Sequence, residues 1–294
     1  MKIGIFGQFY HEHAEKYIQL ILSALQSYNA EVYIEANFLD NLKEHKGISD
    51  DVKAMGTFTN LDASYDLFFS IGGDGTILKS VTFVRDLGIP IVGINSGRLG
   101  FLATLQKENI TESIHKIMKK DYFISERSLL SIETDPPNSH FESLNFALNE
   151  IAVNRKNTTS MIKVETQVND EYLTAYWSDG LIVATPTGST GYSLSCGGPV
   201  IDPSTNSLVI TPIAPHNLNA RPLVIPDDWT ISLKVSGREE SYLVSLDSRI
   251  ATLKNETIIT IKKAPFTIKL VHLLDDSFVK TLRKKLLWGK DKRN

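Results

Sequence analysis

Across residues 1–122 the apolar positions alternate between short unbroken runs and stripes spaced three and four apart. That is the pattern of buried strands followed by amphipathic helices. Lys2–Phe6, Glu31–Ala36, Asp66–Ile71 and Ile89–Ile94 read as strands. Glu15–Ser27 carries Tyr17, Ile18, Ile21, Leu22 and Leu25 on one helical face, and Thr76–Asp86 carries Ile77, Val81 and Val84, with Leu87 beyond it. Gly88 and Pro90 close that helix. Lys107–Lys120 is a further helix, and polar Asp40–Thr57 reads as including a mobile loop. Strands and helices in alternation predict a parallel sheet covered by helices.

Beyond Tyr122 the period shortens to two. Met161–Val168, Tyr172–Trp177, Trp229–Val235, Thr257–Lys262 and Phe266–His272 alternate and are rich in β-branched or aromatic residues. Asn169-Asp170 sits between two of them as a hairpin turn, and Pro136–Ser139 is a loop. Asp275–Trp288 returns to helical spacing through Phe278, Val279, Leu282, Leu286 and Leu287. The expected architecture is an α/β N-terminal domain with a parallel sheet over residues 1–122 and a mainly-β domain over 123–272. A C-terminal helix within 273–294 is expected to return to the first domain.

Composition narrows the class. A chain of 294 residues exceeds one ordinary core, and 42% hydrophobic with 22% charged residues is ordinary for a globular protein. A formal net charge of −3 gives no reason to expect nucleic acid as partner. No apolar stretch approaches the roughly 20 residues that span a bilayer, and the Met1–Gly7 run is too short for a signal peptide. The single cysteine, Cys196, excludes an internal disulfide and fits a reducing compartment. The expectation is a cytoplasmic enzyme or binding protein without a membrane partner. The basic tail, Arg283–Lys285 with Lys290, Lys292 and Arg293, suits a solvated helix end, with phosphate binding as the alternative.

Candidate chemistry concentrates in glycine-rich junctions. Gly72-Gly73-Asp74-Gly75-Thr76 follows a strand and opens a helix, where free N–H groups and the helix dipole favour phosphate. Asp74 places a carboxylate in that cradle, as a site handling a hydroxyl or a metal beside phosphate would require. A second glycine loop spans Asn95–Phe101. Asn149-Glu150, among apolar neighbours, offers donor and acceptor groups for a ribose diol and an adenine edge, or is simply a strand end. Trp177–Gly180 and the strand Leu181–Thr185 lead into the hydroxyl- and glycine-rich Pro186–Ser195, followed by Cys196–Pro199. Small hydroxyls and bare amides there suit phosphate or ribose, and Tyr192 offers a flat face for a base. The same composition also makes an ordinary connection. Thr211–Pro222 reads as a fixed loop whose His216 and Arg221 are structural or phosphate-contacting. His11 and His13 lack the third ligand that a metal site needs.

In this order, Gly72–Thr76, Asn95–Phe101, Asn149-Glu150, Asp179-Gly180, Pro186–Thr190 and Pro215–Pro222 resemble the NAD kinase family over most of the chain. The first motif alone also occurs in phosphofructokinases and lipid kinases. The resemblance implies transfer of the ATP γ-phosphate to the 2′-hydroxyl of the adenosine ribose of NAD, giving NADP. A divalent cation, Mg or Mn, accompanies ATP, polyphosphate serves some members as donor, and homodimers or homotetramers are usual. It implies Asp74 as the catalytic carboxylate with Gly75 beside it, Lys79 near phosphate, and Gly72, Gly73, Gly75 and Thr76 around phosphate. Asn149 and Glu150 would hold the adenosine portion and Asp179 would face the nicotinamide end. Thr187, Thr190, Gly191, Tyr192, Ser193, Leu194 and Ser195 would line the dinucleotide pocket, closed by Ala214. Many members carry alanine where Gly191 stands. The metal ligands and the role of Asp247-Ser248-Arg249 stay open. The alternatives are a diacylglycerol-type lipid kinase, which the polar Thr187–Ser195 segment disfavours, and a non-catalytic NAD sensor.

Overall fold

The computed structural model describes residues 1–8, 14–44, 49–97, 100–157 and 159–289. It divides into two compact units, Met1–Glu126 with Ile268–Asn294, and Arg127–Thr267.

In the first unit five parallel strands are β1 (Lys2–Gly7), β2 (Glu31–Glu35), β3 (Gly56–Phe58), β4 (Leu67–Gly72) and β5 (Ile91–Asn95). They lie in the order β3-β2-β1-β4-β5, and β6 (Leu105–Gln106) pairs with β5. Both β4 and β5 are buried along their whole length, which explains their unbroken apolar runs. The helices are α1 (Ala14–Gln26), α2 (Ala36–Lys43), the single turn α3 (Asp50–Lys53), α4 (Asp74–Val84) and α5 (Ile110–Met118). The expected stripe of α1 is real: Ile18, Ile21, Leu22 and Leu25 are all buried.

The polar stretch Asp40–Thr57 contains regular structure on both sides of its centre. It holds the end of α2, the turn α3 and the start of β3, while residues 45–48 lie outside the described residues. The stripe of α2 begins ahead of that window, at buried Phe38 and Leu39, and continues into it at Leu42. Glu35 caps this helix: its Oε2 accepts the Phe38 N–H at 2.9 Å.

The strand order reverses between β1 and β4. From β1 the chain proceeds outward to β2 and β3, and from β4 it proceeds the other way to β5. Open parallel sheets bind ligands beyond the carboxyl ends of the strands at such a reversal. Here those ends are Gly7-Gln8 and Gly72-Gly73.

The second unit is antiparallel. In chain order it contains β7 (Tyr122–Asp135, entering from the first unit), β8 (Phe146–Ala147), β9 (Glu150–Asn154), β10 (Ile162–Val168), β11 (Glu171–Ser178) and β12 (Gly180–Ala184). The short helix α6 (Tyr192–Ser195) precedes β13 (Ser207–Ile213), β14 (Leu223–Pro226), β15 (Ile231–Ser236), β16 (Ser241–Leu246), β17 (Arg249–Lys254) and β18 (Ile258–Leu273). One sheet runs β14-β13-β12-β9-β16-β17, and β11-β10-β15-β18 pair in the other. The two stretches Thr257–Lys262 and Phe266–His272 form the single strand β18. Asn169 and Asp170 have φ of 48° and 64°, the left-handed pair that a two-residue hairpin favours.

Leu130, Val153, Val164, Leu181, Val183, Leu208, Tyr242 and Ile259 belong to one core drawn from both sheets. The alternate residues Ala152, Ile182, Ala184 and Val209 form a second cluster with Ile201 and Cys196. Strand β12 is therefore buried on both faces, and the segment containing residues 196–201 covers the second one. The chain ends in α7 (Phe278–Leu286), capped by Ser277 Oγ accepting the Lys280 N–H at 3.2 Å and grouped with residues 1–126. Among the described residues no helix is long and apolar enough to cross a membrane.

Candidate active site

The residues singled out from sequence fall into two groups, one in each unit. In the first unit, Gly72 ends β4 because nothing larger fits: a Cβ there would stand 2.1 Å from Thr76 Oγ1. Gly73 and Gly75 are different. Among the described residues, a Cβ on either would meet nothing within 4 Å, so packing against them does not demand glycine at these positions. What their bareness leaves open is the approach to the backbone at the start of α4. Gly73 occupies the N-cap position and supplies no side-chain cap to the first N–H groups of the helix.

Asp74 begins α4 half-buried, and its carboxylate is held by the loop after β5. Oδ2 accepts the Phe101 N–H at 2.8 Å, and Oδ1 accepts those of Leu102 and Ala103 at 3.0 and 3.1 Å. A carboxylate offers about four acceptor positions, so Oδ2 retains one. Glycine at 100 makes room for this arrangement. The same loop is tied back to the turn by Ser96 N–H donating to Gly72 O at 3.3 Å, while Arg98 and Leu99 lie outside the described residues.

Lys79, one turn further along α4, is exposed, with Nζ 5.3 Å from the Phe6 ring centroid. Both line a cavity of about 420 Å³ with Gly7, Gln8, Glu35 and Asn37. This cavity opens at the carboxyl ends of β1 and β2, beside the strand-order reversal.

In the second unit, Asn149 and Glu150 stand at the start of β9. Asn149 Oδ1 and Glu150 Oε2 are buried and have no hydrogen-bond partner among the described residues. They face Gly191, since a Cβ there would lie 3.0 Å from Glu150 Oε2 and 3.5 Å from Asn149 Nδ2. Burial, and then the neighbouring Asp247 carboxylate, push Glu150 up to about 7, and the nearby Tyr192 N–H opposes the rise. An orphaned acceptor pair in a buried place is costly unless a ligand satisfies it.

The hydroxyl-rich segment divides by role. Thr185 Oγ1 donates to Leu148 O at 2.6 Å and Ser189 Oγ to Pro186 O at 2.7 Å, while Ser193 Oγ pairs with Thr211 Oγ1 at 2.8 Å. These groups hold the segment on the sheet. Ser193, expected to line the pocket, is fully buried in that structural bond. Thr187 is also buried, and Thr190 Oγ1 donates to Thr187 O at 3.2 Å. Gly191 and Leu194 are half-buried, whereas Tyr192 and Ser195 are exposed, with the Tyr192 hydroxyl 3.5 Å from Asn154 Oδ1. Ala214 is exposed with φ of 43°.

Asp179 does not stand alone. Arg155 Nη2 lies 3.1 Å from its Oδ2, and Arg155 N–H donates to its carbonyl at 2.9 Å. The sequence reading missed Arg155, because no spacing links residues 155 and 179. Only the pairing of Asn154 with Gly180 across β9 and β12 brings them together. Arg221 is spent on its own loop, donating to Leu218 O and Ala220 O at 2.6 and 2.7 Å. Burial raises the Cys196 thiol, which makes it a weak nucleophile. His11 and His13 lie outside the described residues.

Comparison with known proteins agrees with this layout. Residues 3–122 match the ATP-NAD kinase N-terminal domain and residues 148–273 the ATP-NAD kinase C-terminal domain. NAD kinases from Christiangramia forsetii and Flavobacterium psychrophilum are 62% and 56% identical, each over all of both chains. The NAD kinase of Bacteroides fragilis is 43% identical, also over both full chains. A crystal structure of yeast NADH kinase complexed with NADH shares the fold at a TM-score of 0.83 and 21% identity, covering 99% of this chain and 88% of its own. An NAD kinase from Archaeoglobus fulgidus in complex with ATP superposes at 0.76 with 26% identity, covering 98% of this chain and 99% of its own. With both domain matches in place and full-length relatives well above 30% identity, this chain belongs to the NAD kinase family.

Proposed function

We propose that this chain transfers the γ-phosphate of ATP to the 2′-hydroxyl of the adenosine ribose of NAD, giving NADP. The observation that carries the reading is Asp74: a carboxylate oriented by three N–H groups, with acceptor capacity left on Oδ2, at the opening of a helix whose flanking glycines no described residue covers. The orphaned Asn149 Oδ1 and Glu150 Oε2 supply what ribose and adenine would bind.

In this reading Asp74 Oδ2 accepts the hydrogen of the 2′-hydroxyl and fixes its direction. The new 2′-O–P bond forms as the bond to the departing ADP oxygen breaks, and the hydroxyl proton passes to Oδ2 late, because a carboxylate is a weak base for a sugar alcohol. The uncapped start of α4 and Lys79 offset negative charge on the donor, whose base would take the cavity beside Phe6. Among the described residues no group of three His, Cys, Asp or Glu side chains could hold a metal by itself. A lone carboxylate fits a Mg or Mn ion carried mainly on donor phosphates, and that ion would supply charge neutralisation. Thr187, Thr190, Gly191, Tyr192, Leu194 and Ser195, with Asp179 and Ala214, complete the dinucleotide side. A cytoplasmic homodimer or homotetramer, with polyphosphate as a second donor, is part of the same proposal.

The test is direct. Purified protein is given NAD or NADH, ATP or polyphosphate, and magnesium or manganese, and NADP is detected with an NADP-specific dehydrogenase. NADP formation is expected with NAD and ATP. NAD binding without any product in every combination would leave a sensor, and phosphorylated lipid in a parallel incubation with ATP and diacylglycerol would leave a lipid kinase.

A further inference from the structure

Asp247 sits in the two-residue turn between β16 and β17, at φ of 52°. Glycine or asparagine would occupy such a position more easily than aspartate for conformation alone. Its side chain, however, is held by three backbone bonds. Oδ2 accepts the Leu148 N–H at 2.9 Å, and Oδ1 accepts the N–H groups of Asn149 and Glu150 at 2.8 and 3.2 Å. The Asp247 N–H donates back to Glu150 O at 3.0 Å. Three consecutive amides, from a segment about a hundred residues away in sequence, thus end on one carboxylate.

The other side of the same segment is held by Thr185. Its hydroxyl donates to Leu148 O at 2.6 Å and its N–H to Asn149 O at 2.9 Å. With N–H groups on Asp247 and carbonyls on Thr185 and Asp247, the backbone of residues 148–150 has no need of the Asn149 and Glu150 side chains. Those side chains turn toward Gly191, where two of their oxygens remain unpartnered. Arg249 supports the arrangement from behind. Its Nη1 donates to Leu144 O at 2.6 Å, its Nη2 to Phe146 O, and its charge opposes that of Asp247.

We infer that Asp247 is a positioning residue for the dinucleotide site: its carboxylate fixes the 148–150 backbone so that Asn149 and Glu150 present their acceptors to the ribose and base of NAD. The inference rests on the NAD kinase reading given above. It assigns Asp247 no contact with substrate, and it separates Asp247 from Asp74, which belongs to the transfer step.

Asp247→Gly and Asp247→Asn isolate the carboxylate. Glycine accepts the positive φ without strain but offers no acceptor. Asparagine keeps one oxygen, able to serve Asn149 and Glu150, and loses the bond to Leu148. Steady-state kinetics on the full-length protein should rank NAD KM as wild type below Asn below Gly. The glycine variant should rise by about tenfold or more, while the KM for ATP stays at the wild-type value. Calorimetry with NAD alone should give the same ranking, and this holds as a test even if the wild type makes no NADP, an outcome that would condemn the function and not the clamp. An unchanged NAD affinity in the folded Gly variant, or equal losses toward NAD and ATP in the Asn variant, would overturn the inference.

Discussion

Gly100 and Asp74 are fitted to each other: a Cβ added at Gly100 would stand 1.9 Å from Asp74 Oδ1 and 2.8 Å from Oδ2. The contact is with the side chain itself, so the carboxylate must move if residue 100 grows. Moving it breaks the bonds from Phe101, Leu102 and Ala103 that set its direction. Gly100→Ala should therefore lower kcat by about a hundredfold, the scale of an ångström's misplacement at a reacting group. NAD KM should change little, because Asn149 and Glu150 are untouched. Steady-state kinetics with NADP detection checks the split, and a wild-type kcat would mean that Asp74 tolerates relocation.

Asp74→Asn asks a different question, since it keeps the size and removes the charge. The amide can still accept from part of the 101–103 loop, but its NH2 must face N–H donors or the substrate hydroxyl. We expect NAD to bind by calorimetry and turnover to fall by about a thousandfold, within the range that general base groups contribute. Turnover within a few-fold of wild type would remove Asp74 from the proton transfer.

Gly188 and Gly191 are three residues apart in the same turn, and the structure predicts opposite outcomes for alanine. A Cβ on Gly188 would lie 2.0 Å from Asn149 O, a backbone atom already bonded to Thr185. A Cβ on Gly191 would meet Glu150 Oε2 at 3.0 Å and Gly188 O at 3.2 Å, with φ of −95°, so a few tenths of an ångström of give suffices. Gly188→Ala should raise NAD KM strongly and cost about 1–3 kcal/mol of stability. Gly191→Ala should leave NAD KM within about threefold of wild type, with a small gain from reduced freedom of the unfolded chain. Thermal unfolding and NAD kinetics on both variants distinguish the two positions.

The strand-turn-helix unit around Asp74 was legible because all its determinants are local: an apolar run, glycines and a helical stripe lie within residues 66–87. The same holds for α1, for the Asn169-Asp170 turn and for the change of period after Tyr122. Other features depend on contacts between distant segments. Asp247 is about a hundred residues from the amides it binds, and Arg155 reaches Asp179 only across a strand pair. The hydroxyls of Ser189 and Ser193 look alike with Thr190 and Ser195 in sequence. Ser189 bonds within its own turn, to Pro186 O, and Ser193 to Thr211 on β13, pairings that no local spacing shows. Strands β16 and β17 do alternate, in Ser241–Leu246 and Arg249–Lys254, and that signal was available.

The ionisation of Glu150 gives a prediction of definite sign. Burial and Asp247 place its carboxyl at about 7, whereas a glutamate in an unfolded chain titrates near about 4.3. Between those values the folded protein keeps a proton that the unfolded chain has released. Stability contributed by this group is therefore greatest in acid, declines as pH rises through the window, and is flat above it. The full decline is up to about 4 kcal/mol. Glu150→Gln has no such proton to lose. Its melting temperature should exceed that of the wild type at pH 8, and the difference should shrink toward pH 5, where other titrating groups cancel between the two proteins. NAD should narrow the difference at pH 8, because a ribose hydroxyl donating to Oε2 stabilises the ionised carboxylate that burial disfavours. Thermal unfolding of both proteins across this range, with and without NAD, reads both effects. A difference that stays constant with pH would mean that Glu150 is ionised throughout. The orphaned oxygen beside Gly191 would then have a partner within the protein, and the case for a ribose there would have to rest on Asn149.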